Sequence, residues 1–68
     1  MPSEITVNGA ATPLETSCSI RELLESLDLG SAACAVEVNR ELVPHGQHAE
    51  HRLVDGDVVE IVTLVGGG

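Results

Sequence analysis

Phenylalanine, tyrosine and tryptophan are absent from this 68-residue chain, so it has no aromatic platform on which a base or a sugar could stack. Basic residues are scarce as well. Arg21, Arg40 and Arg52 stand against eleven acidic side chains, for a formal net charge of −8. Such a surface repels polyanions, which excludes nucleic acid and anionic membrane as partners and favours a protein with a basic face. No apolar stretch approaches the roughly 20 residues needed to span a bilayer. Met1-Pro2-Ser3-Glu4 also lacks the basic and apolar regions of a targeting segment, so the cytoplasm is the expected location.

Cys18 and Cys34 are the two cysteines, too few for a four-thiolate metal or iron–sulfur centre. In a reducing compartment both read as packing residues. His45, His48 and His51 would share one side of a helix, but Pro44 and Gly46 oppose a helix there and no thiol accompanies them. No metal site is expected, and the three histidines read as solvated loop residues. A body of this size buries only about 60% of its unfolded surface and leaves little room for a substrate pocket. The expectation is therefore a binding or carrier module, monomeric when free, and not an enzyme.

What is present is ordered punctuation between short apolar runs. Glu4-Ile5-Thr6-Val7 alternates polar and apolar residues, and Asn8-Gly9 signals a tight hairpin. The return segment Thr12-Pro13-Leu14-Glu15-Thr16 suits an edge strand, because Pro13 has no amide to donate. Ser19 and Glu22 fit a capping box, with Cys18 and Leu23 placed as a hydrophobic staple. Ile20, Leu23, Leu24 and Leu27 follow at helical spacing, and Gly30 is the predicted left-handed residue ending the helix. Ala35-Val36-Glu37-Val38-Asn39 alternates again, Asn39-Arg40 reads as a turn, and Glu41-Leu42-Val43 is a short strand stopped by Pro44. The stretch from Pro44 to Arg52 reads as polar and irregular. Asp55-Gly56-Asp57 is a turn before Val58–Val65, a β-branched run expected to be a central strand beside the first.

One amphipathic helix covers one face of a sheet, so the predicted architecture is α+β, a mixed sheet of four to five strands with the helix packed on one side. Strand parity directs Val59, Ile61 and Val65 to the helix with Ile5 and Val7. Val58, Glu60, Val62 and Leu64 then share the open face. An exposed aliphatic patch of this kind is a docking surface for a partner. Residues 1–65 form the domain and 66–68 a flexible tail. Gly66 and Gly67 make that tail thin enough to enter a narrow site, and Gly68 ends it in an unhindered carboxylate. A carboxylate is a poor electrophile, and adenylation by ATP would let sulfur replace one of its oxygens.

The ordered set of features resembles the ThiS family, sulfur carriers of thiamine thiazole synthesis with the ubiquitin-like β-grasp fold. It comprises Val7-Asn8-Gly9, Glu22-Leu23-Leu24, Ala35-Val36-Glu37-Val38-Asn39, Leu42-Val43-Pro44, Leu53, Asp55-Gly56-Asp57, Glu60-Ile61-Val62 and Val65-Gly66-Gly67-Gly68. The resemblance implies that a ThiF-like adenylyltransferase uses ATP and Mg²⁺ on Gly68, that a cysteine desulfurase supplies the sulfur, and that thiazole synthase consumes it. This chain itself would bind no cofactor. Two other functions fit the same fold: a carrier like the small subunit of molybdopterin synthase, or a β-grasp interaction module whose tail does no chemistry.

Overall fold

Two hairpins with the same turn chemistry frame the sheet in the computed structural model, which describes residues 3–14 and 17–64. Strands β1 (Ser3–Val7) and β2 (Ala10–Leu14) are antiparallel, with Val7 opposite Ala10. The two residues between them, Asn8 and Gly9, have φ of 50° and 85°. Strands β3 (Cys34–Val38) and β4 (Glu41–Val43) repeat the arrangement across Asn39 and Arg40, at 52° and 70°. Positive φ at both central residues lets a two-residue loop match the right-handed twist of its strands. Strand β2 starts earlier than the Thr12 expected from sequence, and Glu15 and Thr16 lie outside the described residues.

Strand β5 (Val58–Thr63) is central in the order β2-β1-β5-β3-β4, parallel to β1 and antiparallel to β3. The sheet is thus mixed and five-stranded, with the Pro13 strand at an edge as its missing amide requires. The asparagines of the two turns both bond to this central region. Asn8 Oδ1 accepts from Ile61 N at 2.7 Å, and its Nδ2 donates to Ile61 O at 3.1 Å. On the other flank Asn39 Oδ1 accepts from Val58 N at 3.0 Å, while its Nδ2 donates to Asp57 Oδ1 at 3.0 Å.

Helix α1 (Ile20–Ser26) begins with the predicted box: Ser19 N donates to Glu22 Oε1 at 2.8 Å and Glu22 N to Ser19 Oγ at 3.1 Å. A helix start leaves four amides without an intrahelical acceptor. The remaining two are taken by a distant loop, Ile20 N by the His51 carbonyl at 3.0 Å and Arg21 N by that of His48 at 3.1 Å. Replacing such a cap by alanine typically costs about 1 kcal/mol. The C-terminus corrects the sequence expectation. Asp28, with φ of 64°, is the left-handed residue, and Gly30 is not among the positive-φ positions. Leu29 N reaches Leu24 O at 2.8 Å and Asp28 N reaches Glu25 O at 3.1 Å, the paired bonds of a Schellman ending. Leu27 follows the last helical turn and is exposed, so the buried stripe is Ile20, Leu23 and Leu24.

The segment after β4 is also more structured than its polarity suggests. A 3₁₀ turn spans His45–Gln47, and His48 is buried rather than solvated, its Nε2 3.0 Å from the Val43 carbonyl. Left without a partner, a buried carbonyl costs about 1–3 kcal/mol. Leu53, just beyond, is buried in the core, where it joins Ile5, Ile20, Val36 and Val59 between helix and sheet.

Candidate functional site

Alternation along β5 is unbroken from Val58 to Ile61, with Val59 and Ile61 buried under the helix and Val58 and Glu60 exposed. Val62 and Leu64 are exposed as well, at 58% and 56% of their surface. Because Cα partners across a sheet share a face, the register defines the neighbours of each. Thr6 flanks Val58, Glu37 flanks Glu60, and Ala35 flanks Val62. Val58, Glu60 and Val62 therefore come together on the face away from the helix, and Leu64, just past the end of β5, is exposed as well. Val65, Gly66, Gly67 and Gly68 lie outside the described residues.

The sequence reading missed Leu42. It pairs with Glu37 and is 65% exposed, which carries the aliphatic surface outward onto β4. The signal was available in principle, since a two-residue turn at Asn39-Arg40 sets Val38 opposite Glu41 and hence Glu37 opposite Leu42. Glu37 and Glu60 bring two carboxylates side by side among these aliphatic groups, an arrangement in which like charges oppose each other. Arg21 and Arg52 lie elsewhere, in ion pairs with Glu25 (3.5 Å) and Glu22 (3.0 Å) at the helix. The open face is thus aliphatic and acidic.

The other candidate chemistry is committed to structure. Burial pushes the pKa of the Cys18 thiol up, Glu22 adds to the effect and Arg52 opposes it, so Cys18 stays protonated and weakly nucleophilic at neutral pH. Cys34 is half-buried against the core. His45 packs edge-on against His48 with ring centroids 5.3 Å apart, and the described residues contain no group of three or more His, Cys, Asp or Glu side chains placed for a metal ion. A cavity of about 340 Å³ lies against Arg21, Leu24, Cys34, His45 and His48. Arg21 is held by Glu25 and His48 by Val43, leaving no converging set of reactive groups there.

Known proteins with the same pattern carry the comparison further. The ThiS family model matches residues 3–68. The chain is 34% identical over 65 residues to the sulfur carrier protein ThiS of Escherichia coli, covering 96% of this chain and 98% of that protein. It is 37% identical over 65 residues to a thiazole synthase of Paramagnetospirillum magneticum, of which it spans only 20%. The crystal structure of a thiamine biosynthesis protein (ThiS) from Geobacter metallireducens superimposes with a TM-score of 0.80 at 32% identity. That match covers 96% of this chain and 99% of the other.

Proposed function

This chain belongs to the ThiS family, and on that premise we propose that it is a cytoplasmic sulfur carrier whose Gly68 carboxylate becomes a thiocarboxylate for thiamine thiazole synthesis. A carboxylate oxygen of Gly68 attacks the α-phosphorus of ATP on a ThiF-like adenylyltransferase, with Mg²⁺ on that enzyme, and pyrophosphate leaves. The mixed anhydride is now electrophilic. Sulfur from a cysteine desulfurase persulfide, brought to the sulfide level by a thiol reductant that is itself oxidised to a disulfide, displaces AMP at the carbonyl carbon, and the resulting thiocarboxylate is the nucleophile that thiazole synthase uses. The protein contributes no catalytic group. Its work is to present the terminus.

The observation that carries this reading is the continuous family match from residue 3 through Gly68, so that domain and Gly66-Gly67-Gly68 ending match together. That one fifth of a thiazole synthase resembles this chain supports thiazole synthase as the consumer of the sulfur. Val58, Glu60, Val62 and Leu64 form the surface on which the adenylyltransferase docks, and Gly66 and Gly67 carry the terminus into its site without side chains to clash.

Intact mass spectrometry tests the chemistry directly. After incubation with ATP, Mg²⁺, a sulfur source and an active adenylyltransferase from the same host, the protein should gain the mass of one oxygen exchanged for sulfur, located at Gly68. Gly68→Ala should keep the fold and impair loading. Normal sulfur loading of a chain lacking Gly68 would overturn the proposal.

A further inference from the structure

The central strand has one unfinished side. On the β1 side, Thr6 N donates to Asp57 O at 2.9 Å and Asn8 N to Val59 O at 2.9 Å, after which the Asn8 carboxamide closes both main-chain groups of Ile61. The β1 chain then turns away at Gly9. On the β3 side the bonded positions alternate with these: Asn39 N donates to Val58 O at 2.7 Å and Leu64 N to Ala33 O at 2.7 Å. In an antiparallel pair only every second residue exchanges bonds with its partner. Thr63, opposite Cys34 in that register, therefore directs its N–H and C=O towards the β1 side. Among the described residues no strand lies there, and Thr63 is exposed.

We propose that this edge at Thr63 receives one extended strand of the adenylating partner, lying in line with β1 beyond the Asn8 side chain. The inference rests on the sulfur-carrier reading above. Docking through Val62 and Leu64 removes water from the segment between them, and an amide and a carbonyl desolvated without partners are costly. A main-chain strand supplies an acceptor and a donor at the required spacing, and free strand edges are recognised in this way. It would also hold the central strand extended a few residues before Gly68. A second copy of this chain is disfavoured as the occupant, because each copy carries a charge of −8. Its own edges are poor donors too, β2 interrupted by Pro13 and β4 only three residues long.

Amide hydrogen exchange on the full chain, free and bound to its host adenylyltransferase with ATP and Mg²⁺, reads the bond itself. The Thr63 amide should exchange freely when alone and slow by about tenfold or more in the complex. Thr63→Pro deletes that amide without touching the β3 ladder, so it should keep the free fold and weaken binding. Thr63→Val keeps the amide and should bind normally. A complex in which Thr63 stays unprotected, or in which Thr63→Pro binds as well as Thr63→Val, overturns the strand inference and leaves the carrier reading standing. Absence of any complex, or protection that depends on the concentration of this chain alone, overturns the inference as well. Absence of sulfur loading as well would take the carrier reading with it.

Discussion

Glu22 shows how much one side chain can join in a small domain. Its Oε1 accepts from Ser19 N at 2.8 Å and from Arg52 Nη1 at 3.0 Å, tying the helix start to the segment before Leu53. The Ser19 amide chiefly, and Arg52 after it, hold its carboxyl below the usual glutamate range. A depressed folded pKa means that the contribution is complete above the ordinary value of about 4.3 and is lost as the pH falls through the lowered one. Glu22→Gln keeps an oxygen for the box but cannot titrate. Its urea midpoint, followed by far-ultraviolet circular dichroism, should fall below wild type at pH 7, and the two should converge towards about pH 2–3. A constant difference across that range would refute the electrostatic account. The capping box was legible because it needs only residues three apart. Asp28 was not, because an aspartate adopts the left-handed region only when its surroundings favour it over a nearby glycine.

Strand β5 is the element on which fold and function meet. Val59 and Ile61 fill the core while Val58, Glu60 and Val62 stay on the open face, so on the proposed docking surface a substitution at an even position should separate binding from stability. Val62→Asp should leave thermal unfolding within about 0.5 kcal/mol of wild type, as expected for an exposed site. It should lower affinity for the adenylyltransferase about tenfold or more, since burying a valine is worth about 1.5–3 kcal/mol and 1.4 kcal/mol is tenfold. Calorimetric titration and a melting curve on the same sample decide it, and loss of the fold would mean that Val62 faces inward. The β-branched run and its parity could be read from the chain. That Leu42 shares this face required the neighbouring hairpin's register, and that no strand among the described residues covers the β1 side of Thr63 required knowing where β1 ends.

At the scale of the molecule, charge is divided as well as abundant. The helix side pairs Arg21 and Arg52 with glutamates, whereas Glu37 and Glu60 adjoin on the open face. Association with a basic partner should therefore be steered, with an on-rate that falls steeply as salt rises from about 0.01 to 0.5 M. Stopped-flow association on the labelled partner would measure this, and a rate insensitive to salt would show that apolar contact alone directs the encounter.

Local physics was sufficient for much of this protein. Asn8-Gly9 and Asn39-Arg40 turn because two-residue hairpins need positive φ, Ser19 and Glu22 cap because they are three apart, and β5 alternates because strands do. Those signals, in order, were enough to indicate an α+β sheet with one helix, and with the glycine ending they pointed to the ThiS family. Contacts between distant segments settled the rest. The polar stretch after Pro44 buries His48 against Val43 and lends two carbonyls to the helix start, because orphan amides and a buried carbonyl must be satisfied by whatever the fold brings near. No residue near His48 in sequence announces that role, since its partners are defined only once helix and sheet have packed.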